Sequence, residues 1–286
     1  MPGDPVADAP MVTVGIDLAG YTGTTGVCRV TWTGRPVVEL LDARNDDDLL
    51  AAMRTADRTG LDSPVGWPME FTSLLAAHRA GTELPVRTRY APCSDGREGL
   101  SRFTHRLTDD VAWKRTGAGR QRPLSVAADK LGVVAMRAVD LLERLAGAAS
   151  AVPRDGSGSV VEVYPAYALM QWGLAGKGSY KKSTPAALAA RARILAGLAD
   201  GLSLDLGARV RDRCTRSDHD LDALISAVVA RAAACGMTHP PVSDEERARA
   251  MVEGWMHLPR RDCPLSAVRD GVRTREPHRI APSPSS

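Results

Sequence analysis

Short blocks of apolar residues open the chain, and helical spacing takes over further along. Residues Met11 to Asp17 read Met-Val-Thr-Val-Gly-Ile-Asp, a β-rich run closed by an acid. A Gly/Thr-rich stretch follows from Gly20 to Gly26, and 27–32 alternates well enough for a second strand. Gly34-Arg35-Pro36 marks a turn before a third run at 37–41. Three such runs joined by tight turns predict an antiparallel meander. From Asn45 or Asp46, either able to cap, Leu49, Leu50 and Met53 predict a helix. A short strand is expected to end at Leu61-Asp62, and 69–80 reads helical up to Gly81.

Residues 82–123 show no clear periodicity, which in a stretch this long points to function or mobility. Pro123 and Ser125 are expected to start a long Ala/Leu/Val helix running to about Ala146, and 150–158 reads as a Pro/Gly/Ser linker. The run 159–164 is apolar on both faces, as a central parallel strand should be. Gly176 to Lys182 is a basic, glycine-bearing loop. Thr184-Pro185 opens a helix by cap and first-turn proline. Ser217-Asp218 opens another, with Leu221, Leu224, Ile225, Val228 and Val229 on its apolar face. A last helix is expected near 243–256, and no internal repeat is present.

These elements predict an α/β fold: a mixed five-stranded sheet, with the 1-2-3 meander antiparallel and later strands parallel, flanked by helices. A single domain is expected over 11–257, with a basic insertion at about 82–123. Residues 1–10 and most of 258–286 are expected to be disordered.

The 286 residues are 44% hydrophobic and 25% charged, ordinary for a globular protein, but only 4% aromatic, so Ala, Leu and Val must build the core. The net charge of +3 is mild, yet Arg87, Arg89, Arg97, Arg102, Arg106, Lys114, Arg115, Arg120 and Arg122 fall in one stretch that carries few acids. Such a segment can dock a phosphate backbone, or be a solvated loop. The five cysteines have neither Cys-x-x-Cys pairing nor zinc spacing to histidine, and free thiols suit a reducing cytoplasm. No signal peptide and no membrane span are expected. The chain lacks a Gly-x-Ser-x-Gly elbow and a P-loop, which argues against an α/β-hydrolase and a P-loop NTPase.

The chemistry that stands out is acidic. Asp17 ends the first strand, Asp62 ends the next parallel one, Glu162 lies in the last clear strand, and Asp218 and Asp222 sit four apart on one helix. Carboxylates converging on one sheet edge make a hard-oxygen site suited to Mg²⁺ or Mn²⁺. Each also has a plainer reading. Asp17 and Asp62 are in turn-like contexts, Asp218 is in N-cap context, and Glu162 can pair with an arginine or be turned away from the edge by strand alternation. His105 and His219 are candidate proton shuttles.

Gly15-Ile16-Asp17-Leu18-Ala19-Gly20, Asp62-Ser63-Pro64-Val65-Gly66-Trp67-Pro68, Val161-Glu162-Val163-Tyr164-Pro165-Ala166, Tyr180-Lys181 and Asp218-His219-Asp220-Leu221-Asp222-Ala223-Leu224 occur in that order. In series they resemble the family called domain of unknown function 429, described as predicted nucleases of the ribonuclease H-like fold. The order also resembles Holliday-junction resolvases of that superfamily. The resemblance implies a metal-dependent nuclease in which Asp17, Asp62, Asp218 and Asp222 hold two Mg²⁺ or Mn²⁺ ions. It further implies that Arg102, Arg106, Asp109 and Lys181 contact nucleic acid, with Glu162 and His219 as secondary candidates.

Two other readings remain open. Asp17 to Gly26 is close to the first phosphate loop of actin-like and sugar-kinase ATP-binding proteins, although no second such loop is present. A non-catalytic ribonuclease H-like scaffold is the third.

Overall fold

In the computed structural model the described residues are 10–20, 23–43, 45–82, 101–117, 122–127, 129–147, 151–175 and 179–271. Strands β1 (Met11–Asp17), β2 (Gly26–Trp32) and β3 (Val37–Leu41) form the expected meander. β4 (Arg58–Asp62) adds parallel to β1, and β5 (Val160–Glu162) adds parallel to β4. The order across the sheet is β3-β2-β1-β4-β5.

The helices are α1 (Asp46–Arg54), α2 (Met69–Ala80), α3 (Leu107–Thr116), α4 (Asp129–Ala146) and α5 (Pro165–Gln171). They continue as α6 (Pro185–Leu202), α7 (Ala208–Arg216), α8 (Asp218–Ala234), α9 (Asp244–Glu253) and α10 (Leu265–Asp270). Among the described residues no helix is long and apolar enough to cross a membrane.

Strand alternation divides the core in two. Val14, Ile16, Leu18, Val27 and Leu61 point to one face and pack with α1 and α4. Met11, Cys28, Val30, Trp32 and Val161 point to the other and pack with α6 and α8. Helix α8 is buried almost all round, as a helix in the middle of a core must be.

Three glycines let α8 lie directly on the sheet. A Cβ on Gly15 would stand 1.9 Å from the Ala223 carbonyl oxygen, one on Gly26 2.2 Å from that of His219, and one on Gly60 2.1 Å from that of Ser226. These are backbone atoms, so no side chain can swing aside. The Thr13 hydroxyl completes the contact by donating to the Ala227 carbonyl at 2.9 Å.

Several boundaries differ from the sequence reading. β5 stops at Glu162, and Pro165 opens α5 instead of merely ending the strand. The long helix starts at Asp129, beyond Pro123 and Ser125. α3 lies inside the aperiodic stretch; its buried residues are Thr108, Asp109, Ala112 and Thr116, so it carries no apolar stripe to detect. α7 has no apolar stripe to predict it: six of its nine residues, Ala-Arg-Val-Arg-Asp-Arg-Cys-Thr-Arg, are Arg, Asp or Thr, and just Val210 and Cys214 are buried.

Of the segment 258–286, expected to be mostly disordered, residues 258–271 are placed in the structure. Leu258, Cys263, Leu265 and Val268 are buried, and α10 packs on α6. Residues 1–9 and 272–286, most of the basic stretch at 83–100, and 176–178 lie outside the described residues. Four described cysteines, Cys28, Cys214, Cys235 and Cys263, are buried free thiols.

The close approach of α8 predicts that Gly15→Ala or Gly60→Ala loses at least about 1–3 kcal/mol of stability by overpacking. Gly34→Ala, with nothing within 4 Å of its Cβ, should stay within about 0.5 kcal/mol of the parent. Urea unfolding midpoints check both.

A second prediction concerns His257, which is buried with Nδ1 2.8 Å from the Thr238 hydroxyl and Nε2 2.9 Å from the Asp155 carbonyl. The neutral ring, donating from Nε2 and accepting at Nδ1, satisfies both. Burial pushes its pKa from 6.5 to about 4. The unfolded chain therefore takes up the proton first, so this stability is full above the unfolded value and declines as pH falls towards 4. The wild type should lose on the order of 3 kcal/mol more than His257→Gln between pH 7 and pH 4, read from urea midpoints.

Candidate functional site

Asp17 and Asp62 are register partners at the carboxyl ends of the parallel pair β1 and β4. They share the α8 face with Gly15 and Gly60 two residues earlier. Ligands of open α/β sheets gather at this edge. Because the glycines draw α8 down, Asp222 on its second turn reaches the same point. One carboxylate oxygen from each of Asp17, Asp62 and Asp222 lies within 4.8 Å of the other two.

Each acid has a different environment. Asp17 Oδ2 is 2.6 Å from His219 Nδ1. Asp222 is 1% exposed; its Oδ1 accepts from the Tyr180 hydroxyl at 2.7 Å, and its Oδ2 is 2.9 Å from Lys181 Nζ. Asp62 has no hydrogen bond or ion pair among the described residues.

The electrostatics follow from this crowding. Burial raises the Asp62 pKa well above the carboxylate range; Lys181 opposes that rise, while the charges of Asp17 and Asp222 add to it. Burial takes Asp222 up to about 6 against the pull of Lys181. The hydrogen bond to Asp17 raises the His219 pKa. Lys181 is disfavoured by burial, but Asp222 and Asp62 outweigh this and raise its pKa. Burial and mutual repulsion therefore oppose ionising all three acids together.

Known proteins place the chain by sequence. The model of a family described as a protein of unknown function, DUF429, matches residues 15–247. The chain belongs to that family. No curated protein and no solved structure matches it.

The DUF429 match spans every member of the carboxylate set and the two cationic side chains beside it. Asp218, expected as a fourth ligand, is the first residue of α8 after the Ser217 cap and is not part of the converging set. Lys181, expected to hold phosphate, is instead paired with Asp222. His219 joins the site through Asp17. His105 lies elsewhere, with Nδ1 2.9 Å from the Thr104 hydroxyl.

Arg106 and Asp109 are placed differently from what the resemblance implied, while Glu162 follows the plainer reading of the sequence, paired with an arginine and turned away from the edge. Glu162 is the register partner of Leu61, so it sits on the sheet face opposite Asp62. It forms a paired bond to Arg106, at 2.7 and 2.6 Å. Arg106 also donates to Asp109 from Nε and Nη2 and to the Glu253 carbonyl from Nη1. All five guanidinium N–H groups are thus engaged, and none is left for a phosphate. Asp109 is equally committed, accepting in addition from the Arg106 backbone N–H. Arg102 is exposed and rests over the Phe103 ring, away from the carboxylates.

One positioning residue escaped the sequence reading. Arg191 is 2% exposed and donates to the carbonyls of Tyr180 and Lys182, on either side of Lys181. It also donates to those of Thr215 and Arg216 at the end of α7, just before α8. Its only sequence signal was an arginine in an Ala/Leu helix.

If Arg106 is a structural clamp, Arg106→Ala leaves Glu162 and Asp109 buried and uncompensated. The expected loss is about 3–5 kcal/mol in urea unfolding. Arg102→Ala should lose no more than about 0.5 kcal/mol. Unchanged stability in Arg106→Ala would return that residue to the substrate-binding set.

Proposed function

We propose that this DUF429 chain is a divalent-metal-dependent phosphodiesterase that cleaves nucleic acid, with Asp17, Asp62 and Asp222 as the metal ligands. The observation that carries the reading is the convergence of these three carboxylates at the carboxyl edge of the sheet. The donor set fits a hard cation: all three ligands offer oxygen, as Mg²⁺ and Mn²⁺ require. Asp62 has no partner among the described residues, and a carboxylate kept partly buried without one is costly.

The ligand count favours one ion over two. Three carboxylates converge on one point, a set that serves a single divalent ion. The expected second ion drew on Asp218, which does not converge with the others. The meander followed by parallel strands, with acids on β1, β4 and α8, is also what the ribonuclease H-like resemblance implies.

Bound among these carboxylates, a divalent ion supplies charge to polarise the phosphate and makes water more acidic. The chain's own groups do the remainder. Tyr180 fixes the Asp222 carboxylate through its hydroxyl. Lys181, once Asp222 is engaged elsewhere, has an ammonium to offer a non-bridging phosphate oxygen. His219, held through Nδ1 by Asp17, presents Nε2 as a proton carrier for the attacking water or the leaving oxygen.

The test is purified protein with Mg²⁺ or Mn²⁺ and single-stranded, duplex and branched nucleic acids, beside Asp17→Asn and Asp222→Asn. Each variant should lose more than about 100-fold in rate, beyond the effect typical of residues that merely support a ligand. Calorimetric titration should show Mn²⁺ binding that weakens in Asp62→Asn. Equal cleavage by the variants, or no Mn²⁺ uptake at millimolar concentration, overturns the reading. A purely binding scaffold predicts neither dependence.

A further inference from the structure

Beside the carboxylates lies a cleft of about 600 Å³, with Asp17, Asp62 and Lys181 in its lining. That volume falls within the roughly 300–1,000 Å³ range of small-molecule sites. Its walls are largely apolar: Leu18 and Pro64 near the acids, Leu131 and Val134 from α4, and Met170 and Met256 opposite. Tyr164 lies at the acidic end, where Asp62, Asp222 and Lys181 all act on its hydroxyl. Leu124, on the same lining, is 54% exposed.

Among the described lining residues the cations are few and mostly committed. Arg106 has no spare donor. Arg122 pairs with Asp110 through Nη2, but its Nε is buried with no acceptor among the described residues. A surface that tracks a nucleic-acid backbone shows a row of free cations. Among the described lining residues, Lys181 and Arg122 are the cationic side chains not fully committed to protein partners.

From these observations, and resting on the phosphodiesterase reading above, we infer that the cleft takes a small phosphodiester of nucleotide or dinucleotide size. Its phosphate sits at Asp17, Asp62 and Lys181. Its ring or other apolar group lies against Leu131, Val134 and Met170, with Arg122 on the same lining. One phosphate matches the one ammonium among the described lining residues, and the apolar walls match one base. In the reaction a water oxygen bonds to phosphorus and the P–O bond to the leaving group breaks. The leaving oxygen takes the electron pair, and the water proton passes to His219 or solvent.

The probe is thymidine 5′-(p-nitrophenyl phosphate), whose hydrolysis to thymidine monophosphate and p-nitrophenolate is read by colour. With Mn²⁺, wild type should hydrolyse it with a higher kcat/KM than it shows for a 30-base-pair duplex. Leu131→Asp and Arg122→Gln should each raise KM about tenfold, the equivalent of about 1.4 kcal/mol. Met136→Asp, on the exposed side of the same helix, should change neither constant. Calorimetry should show thymidine monophosphate binding to the Mn²⁺-loaded protein and weakening in the two cleft variants.

A duplex that is cleaved as well or better, or an unaltered KM in both cleft variants, overturns the small-substrate inference and leaves the phosphodiesterase reading standing. Mn²⁺ binding with no uptake of either thymidine probe also overturns the inference alone. Absence of Mn²⁺ uptake overturns both.

Discussion

The contact between the α8 backbone and the sheet governs the rest of the molecule. Most helix-on-sheet packings are spaced by side chains on both surfaces. Here Gly15, Gly26 and Gly60, on three adjacent strands, remove the sheet's side of that spacer. α8 descends until carbonyl oxygens of His219, Ala223 and Ser226 lie over bare backbone. That depth explains why a helix carrying three aspartates in its first two turns is nearly enclosed, and why Asp222 meets acids that belong to strands. The glycines are thus part of the site although none of them faces it.

The sheet carries two ionic systems on opposite faces, and they differ in kind. On the face away from α8, Glu162 and Asp109 are neutralised by Arg106, whose donors are all matched. Glu253 extends this network by accepting from the backbone N–H groups of Met69 and Leu107, at the first turns of α2 and α3. Burying such groups together is tolerable because every polar atom finds a partner. On the α8 face the balance is left open: three acids share one lysine and one histidine, and two of the acids have raised pKa values. A closed network holds elements together; an open one has capacity for a ligand.

How much of this was legible in the chain depended on whether local pattern or distant contact set each feature. The meander, the Thr184 cap and the Gly81 stop are encoded within a few residues and were read directly, whereas Asn45 was one of two candidate caps and Ser217, not Asp218, caps α8. The convergence of Asp17, Asp62 and Asp222 was readable because strand ends and a helix face fix side-chain direction. Asp218 misled because four-residue spacing puts two acids on one face without saying that both reach the same depth. Arg106 and Asp109 misled because a basic, aperiodic segment looks solvated, and only the Glu162 carboxylate, 56 residues away, shows that it is buried. α3 and the ordered tail were hidden for a related reason: their buried positions are too few or too polar to give a period.

The Arg191 guanidinium determines how the lysine can move. It binds the carbonyls flanking Lys181 to those that precede α8, so the two segments share one anchor. Withdrawing the Lys181 backbone would disturb the start of α8 and the acids it carries. The lysine side chain, 42% exposed, can leave Asp222 by turning about its own bonds while the main chain stays in place. Exchange at Asp222 then asks for a change of the lysine rotamer and not for a movement of its main chain.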